Sequence, residues 1–436
     1  MSVIKVDLKK AVKRMKPMHG GGQPPICGKD LTEYFHYLSE AGIPYSRLHD
    51  VGGPYGGGRF VDIPNLFRNF DADETDPANY DFAFTDHIIK ALVRENVEPY
   101  FRLGVTIENH GYIKGYNTDP PRDYHKWARI CEHVIMHYTR GWANGFNFKI
   151  SYWEIWNEPE GQGPGMWNGT AEDYFRLYDV TSKHLKACFP NIKIGGYSSY
   201  GLYAFAPKIV SYPEINQKVT IPPSKKEEEV LQFFYDFFKY IKEHGSPIDF
   251  FSWHCYSNIR RVPKIDKKLH EVLVELGYGN IETHLNEWNP VYAEYGTGHH
   301  SAEVSAMLIG LQHGYTDLCC IYDMRTNTAP YCPVFDIKTH KPIHAYYSLV
   351  SFNQLYKLGT QVKTECDTEL LCALCASDGE NHALLISNVT GQEHELLIEG
   401  VDLSKARYYA LDDERLLSWS APVKKIENNT VILIEW

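Results

Sequence analysis

Two short stretches each put an amide beside a carboxylate at the end of a strand-like run. They are Asn157-Glu158-Pro159, after Tyr152-Trp153-Glu154-Ile155-Trp156, and Asn286-Glu287-Trp288, after Glu282-Thr283-His284-Leu285. Two carboxylates that converge across a sugar can cut a glycosidic bond: one protonates the leaving oxygen and the other attacks the anomeric carbon. Glu158 is the expected acid/base and Glu287 the expected nucleophile. Asn157 is placed to hydrogen-bond a sugar 2-hydroxyl. An acid must hold its proton, which needs apolar walls and a nearby negative charge. Trp153, Trp156 and Trp167 are the candidate walls and ionised Glu287 the charge. The nucleophile must stay ionised and needs donors, for which Arg47 and Tyr256 are the candidates.

Further polar residues fall at strand ends. His254 and Tyr256 close the run 248–256, and both are expected to face a substrate. Arg47 and His49 end the run 43–50; the alternative for them is a rim ion pair with Asp50. Tyr322 and Asp323 end the run 318–324, where either side chain can be the inward one. Trp288 either stacks on a sugar ring or packs behind the nucleophile. His19, His49, His254 and Asp323 are a conceivable metal set. However, the first strand has no His-x-His and the chain has no HExxH, so no metal is expected. A GxSxG elbow is missing too. The run Gly20-Gly21-Gly22 leads to neither Gly-Lys-Ser/Thr nor GxGxxG, so it does not predict a phosphate cradle, and no cofactor is expected.

Carboxylates can meet in this way only if something holds both strand ends at one rim. Eight strand-like segments alternate with helical ones: 16–22, 43–50, 97–105, 151–156, 193–197, 248–256, 282–290 and 318–324. The helical segments include about 30–41, 82–95, 122–140, 229–243, 264–276, 300–313 and 342–357. This alternation predicts an α/β fold, a (β/α)8 TIM barrel, whose parallel strands deliver side chains to one C-terminal face. Strands four and seven stand three strands apart, facing each other across the mouth of such a barrel. After about 359 the pattern becomes short strands with turns, which predicts a small antiparallel β-sandwich that the strand at 2–8 joins. The expected domains are 1–14 with the sandwich, 15–358 as the barrel and 359–436 as the sandwich. Segment 201–228 reads either as a lid or as an approach to a helix whose first turn carries acids.

Composition narrows the partners. Hydrophobic residues make up 43% of the 436, enough for a large core. A net charge of −11 argues against a phosphate backbone as partner. No apolar run approaches a membrane span or an export signal, so a cytoplasmic enzyme with reduced cysteines is expected. Cys372-Ala373-Leu374-Cys375 has CxxC spacing, but on a strand its two thiols would face opposite sides. The expected partner is an oligosaccharide, with self-association into a homo-oligomer left open.

The segments Glu154-Ile155-Trp156-Asn157-Glu158-Pro159, Arg47-Leu48-His49 and Ser252-Trp253-His254-Cys255-Tyr256 resemble glycoside hydrolase family 39, the β-xylosidase and α-L-iduronidase family. Glu287 on the seventh strand looks like that clan's nucleophile. The resemblance implies a retaining exo-glycosidase, with His49, Asn157, His254 and Tyr256 as ligands of the terminal sugar. Tyr322-Asp323-Met324-Arg325 departs from the paired acids expected of a β-xylosidase. Arabinose, galactose or a uronic acid therefore stay as alternatives to xylose, with Arg325, Arg102 or Arg260 meeting an acidic or branched sugar. A non-catalytic sugar-binding barrel is the reading from another class, and a transglycosylase a closer one.

Overall fold

The computed structural model describes residues 1–26, 33–49, 51, 61–106, 118–161, 166–212, 217–290, 294–326 and 331–436. Its strands are β1 (Ser2–Arg14), β2 (Gly20–Gly22), β3 (Tyr45–Leu48), β4 (Glu98–Leu103), β5 (Tyr152–Ile155), β6 (Lys193–Ser199), β7 (Ile209–Tyr212), β8 (Gln217–Thr220), β9 (Phe250–Cys255), β10 (Glu282–Trp288) and β11 (Leu318–Tyr322). They continue as β12 (Thr360–Cys366), β13 (Leu371–Ser377), β14 (His382–Asn388), β15 (His394–Glu399), β16 (Arg407–Leu411), β17 (Ser418–Ser420), β18 (Lys425–Ile426) and β19 (Thr430–Glu435). The helices are α1 (His36–Ala41), α2 (Ile63–Leu66), α3 (Ala83–Arg94), α4 (Tyr124–Arg140), α5 (Ala171–Cys188), α6 (Lys225–His244), α7 (Val262–Leu276), α8 (Gly298–His313) and α9 (His344–Leu358).

Eight parallel strands close into a barrel in the order β10-β11-β2-β3-β4-β5-β6-β9. Alternation sorts their side chains. Trp153, Phe251, Trp253, Leu285, Cys319 and Ile321 point outward into the barrel–helix core. Tyr100, Tyr152, Phe250, Leu318 and Cys320 form a separate apolar plug, with Tyr45 packed on it. Most of these plug residues open their strands, so the plug fills the N-terminal end and leaves the C-terminal end for polar groups. The glycine run is barrel strand β2 itself. A Cβ at Gly20 would lie 2.5 Å from the Cys319 carbonyl oxygen, so close strand approach is what requires glycine there.

Some boundaries differ from the pattern reading. Helix α1 begins at His36, and residues 30–32 of the expected helix, with Leu31, lie outside the described residues. Segment 201–228 holds a short 3-10 turn at Tyr203–Phe205 and the antiparallel hairpin β7–β8. Its charged run is the first turn of α6, where Ser224 and Glu227 form a reciprocal capping box.

The C-terminal strands make one nine-stranded sheet, β17-β16-β19-β14-β13-β12-β1-β15-β18. Strand β1 is antiparallel to β12 but parallel to β15, an exception to the expected antiparallel pattern. One face encloses a core that includes Ile4, Val362, Cys375, Ile386 and Ile434. Leu374, Leu385 and Leu433 on the other face join the main core. Helix α8 packs between barrel and sheet, which explains why it is buried nearly all round. The CxxC cysteines separate as expected: Cys375 is in the sheet's own core, while Cys372 packs against the main one. Burial pushes both thiols up to about 12.

Candidate active site

Two local irregularities deliver the carboxylates. At the end of β5, Trp156 (φ 76°) and Glu158 (φ 47°) adopt left-handed backbone. That conformation costs a side-chain-bearing residue on the order of 1–3 kcal/mol. It breaks strand alternation, so consecutive Asn157 and Glu158 both reach the groups inside the barrel. The Glu158 N–H donates to the carbonyls of Tyr197 and Ser198 at 3.2 and 3.1 Å, which holds the turn. On β10 the register against β9 shifts between Leu285 and Glu287. This bulge likewise lets neighbours Asn286 and Glu287 both face the interior.

A buried charged layer lies beneath them. Arg47 donates from Nε to Glu154 at 2.8 Å and from one terminal nitrogen to Asn157 Oδ1 and Ser198 Oγ, both at 2.7 Å. Asn286 donates to Glu154 at 2.6 Å, and Ser198 Oγ to the same oxygen at 3.0 Å. Burial opposes ionisation of Glu154, but the Arg47 charge, hydrogen bonds from Ser252 and Arg47, and the His254 charge outweigh it and hold the carboxyl below its ordinary range. Asn157 is thus oriented by Arg47. The Arg47 carboxylate partners among the described residues are Glu154 and Glu287, while Asp50 lies outside them.

Above this layer His254 sits between the two carboxylates. Its Nδ1 is 2.5 Å from Glu158 Oε1 and 2.9 Å from Glu287 Oε2, and its Nε2 is 3.0 Å from Ser198 Oγ. The contacting carboxylate oxygens and the His254 nitrogen all lie within 4.8 Å of one another. Burial alone would depress the imidazole pKa. The Glu287 charge and the hydrogen bond to Glu158 instead raise it to about 9, so it is a cation at neutral pH. Burial also works against ionised Glu287. His254, Arg47 at 3.6 Å and a hydrogen bond from Tyr256 overcome that and lower its pKa. Both expected donors, Arg47 and Tyr256, therefore meet Glu287, and His254 adds a third. His49 Nε2 lies 3.9 Å from Glu287; burial and the surrounding Arg47, Arg102, His254 and Arg325 charges keep it neutral.

Strand β11 brings Tyr322 to the same mouth, its ring 6.4 Å from that of Tyr256, centroid to centroid. Asp323 is fully buried and engaged by Arg325, which donates from its backbone N–H and Nε at 3.0 Å and from a terminal nitrogen at 2.6 Å. Asp323 therefore positions Arg325, a residue on which the sequence pattern laid little weight. Trp288 is fully buried in the barrel–helix core, one position after inward Glu287, a setting that matches the packing alternative for it. Trp153 stacks on Phe101 in the same outer layer, and the Trp156 indole turns outward to Met166 O and the Trp167 ring, which removes Trp153 from the expected acid wall. His19 bonds Gly42 O and Asn353 in the outer layer, and burial depresses its pKa to about 4; it is not a site residue. Ser198, one residue past the expected end of the fifth strand, was missed, although it joins Arg47, Glu154 and His254.

Among the described residues, Glu158-His254-Glu287 and Glu132-His184-Cys188 are clustered closely enough to hold a cation. In the first, His254 would have to give up the proton that the two carboxylates stabilise.

Residues 56–357 match the family profile of glycosyl hydrolases family 39. A β-xylosidase from Geobacillus stearothermophilus is 22% identical over 304 residues, 63% of this chain and 52% of the relative. A second, from Caldicellulosiruptor saccharolyticus, is 24% identical over 224 residues, covering 50% of this chain and 37% of its own. The chain thus spans about half or less of these curated relatives. Among solved structures, a glucosidase from Croceicoccus marinus superposes with a TM-score of 0.78 at 18% identity, covering 100% of this chain and 98% of that one. A family 39 β-xylosidase from Caulobacter crescentus gives 0.68 at 18% identity and 99% of both chains.

Proposed function

The chain belongs to glycosyl hydrolases family 39, and from that premise we propose that it is a retaining exo-glycosidase, β-xylosidase-like, that removes the non-reducing-end sugar of short oligosaccharides. The observation that carries this reading is the meeting of Glu158, just past β5, and Glu287 on β10, three strands away round the barrel, with contacting oxygens within 4.8 Å. That closeness suits direct attack, since retaining pairs stand about 5–5.5 Å apart and inverting pairs leave room for a water.

In the first step a Glu287 oxygen bonds to the anomeric carbon as the glycosidic C–O bond breaks. Glu158 gives its proton to the departing oxygen. In the second, Glu158 takes a proton from water, the water oxygen bonds to the anomeric carbon, and the bond to Glu287 breaks. The Nδ1–H of His254, 2.5 Å from Glu158, donates a hydrogen bond to that carboxylate after it has given up its proton. Asn157, aimed by Arg47, holds the sugar 2-hydroxyl. The curated β-xylosidase relatives support xylose as the sugar. Arg325 at the mouth favours, as the second reading, the same chemistry on arabinose, galactose or a uronic acid. A cytoplasmic setting is part of the proposal, and the free thiols of Cys131, Cys255 and Cys319 suit it.

Proton NMR of the first product from an activated aryl glycoside tests the chemistry. Retention of anomeric configuration is expected, and an inverted first product would refute double displacement. Glu158→Ala should be rescued by azide, whereas Glu287→Ala should lose nearly all turnover.

A further inference from the structure

A groove of about 990 Å³ leads away from Tyr256, the residue that hydrogen-bonds the Glu287 carboxylate. That volume is at the upper end of the range for small-ligand sites, roughly 300–1,000 Å³. Its walls come from three places: the segment Phe205–Ile209 with Thr220 of β8, the β9–α7 connection Ser257–Arg261 with Pro263 and Lys264 of the first turn of α7, and Glu369-Leu370 between β12 and β13. Of the side chains assigned to the sugar, His49, Asn157, Tyr322 and Arg325 come from or next to β3, β5 and β11, while His254 and Tyr256 end or follow β9. The groove starts at Tyr256 and opens past β9 and the segment after β6, on the side of the barrel opposite β3.

The walls are fixed. Tyr203 OH accepts from the Tyr256 N–H at 2.8 Å. Arg261 donates to the carbonyls of Ala206 and Tyr203 at 2.7 and 3.0 Å and pairs with Glu227 at 3.5 Å. Arg260 ties the connection to the sheet through Val389 O at 3.2 Å and to Glu303 at 3.8 Å. Two further cations line the groove, Lys208 and Lys264, both exposed and neither with an ion pair among the described residues. Glu369 is the acid in the lining. In a chain of net charge −11 this is a local excess of positive charge in a groove that reaches Tyr256. Ile209 and Phe205 add apolar surface on which a sugar face can pack.

We propose that this groove is the leaving-group subsite and that Lys208 and Lys264 select a leaving sugar carrying an anionic group, a carboxylate or a sulfate. This rests on the hydrolase reading above. The experiment compares kcat/KM for one glycosyl unit linked to a neutral sugar, a uronic acid or a sulfated sugar. Wild type should favour an anionic leaving sugar, and the preference should fall with added salt. In Lys208→Ala/Lys264→Ala the anionic-to-neutral ratio should drop about tenfold, equivalent to about 1.4 kcal/mol. Which anionic arm is preferred identifies the group. A wild-type preference for the neutral sugar, or a ratio the double variant leaves unchanged, overturns the groove assignment while hydrolysis itself stands. Absence of turnover on every glycoside, neutral ones included, overturns the underlying hydrolase reading and the groove with it.

Discussion

Replacing His254 with asparagine separates the charge at the centre of the site from its hydrogen bonding. Asparagine keeps an N–H donor near Glu158 and Glu287 and removes the cation. The imidazole pKa rises from 6.5 to about 9, the net result of burial lowering it and the two carboxylates raising it. At 1.36 kcal/mol per pH unit this amounts to roughly 3 kcal/mol. If the coupling divides evenly between the carboxylates, Glu287 loses about half of it, and the acid limb of kcat/KM should move up by ~1 pH unit. Turnover at neutral pH should fall on the order of 10²-fold, as when one preorganised electrostatic partner is removed. The same coupling predicts a stability profile. A raised histidine pKa stabilises the fold fully below 6.5 and ceases to do so as pH rises through about 9. Wild type should therefore lose up to about 3 kcal/mol across that window, and His254→Asn should show a flatter profile. The assays are a pH series of kcat/KM on an activated aryl glycoside and denaturant unfolding at matched pH. An acid limb that stays in place, with parallel stability profiles, would refute the bridging cation.

Glu154→Ala should destabilise by about 3 kcal/mol in denaturant unfolding, because among the described residues it leaves the buried Arg47 charge with only the longer Glu287 contact. It should also lower kcat by loosening the grip of Arg47 on Asn157. Glu160, buried near Glu158 with its Oε1 accepting from the Tyr200 N–H, has its pKa pushed up to about 8, mainly by burial. A raised carboxyl pKa stabilises fully below the unfolded value and loses that stabilisation as pH rises through about 8, so Glu160→Gln should gain stability relative to wild type over that window. Asp323→Asn should raise KM more than it lowers kcat, since Arg325 loses its paired anchor, and steady-state kinetics at one pH will show the split. Gly20→Ala should lower the melting temperature, because its Cβ would press on the Cys319 carbonyl; an unchanged value would contradict the close strand approach.

The eight barrel strands and the two strand-end glutamates were legible in the chain because alternation, β-branched runs and turn residues are local signals. Trp153, Trp253 and Leu285 point outward, as their strand positions require. What the order of residues could not show was where alternation fails. Left-handed backbone at Trp156 and Glu158, and the shift before Glu287, turn neighbouring side chains to one side. Those breaks are imposed by packing against distant strands. The pairing of Arg47 with Glu154, the seat of His254 between two carboxylates and the parallel docking of β1 on β15 depend on groups 107, 96 and 394 positions apart. The residue types fixed which chemistry was open to this chain. Tertiary structure decided which groups share a proton and which merely fill the core: Trp288 packs and Asp323 anchors, because burial and partners, not identity, set the role of a side chain.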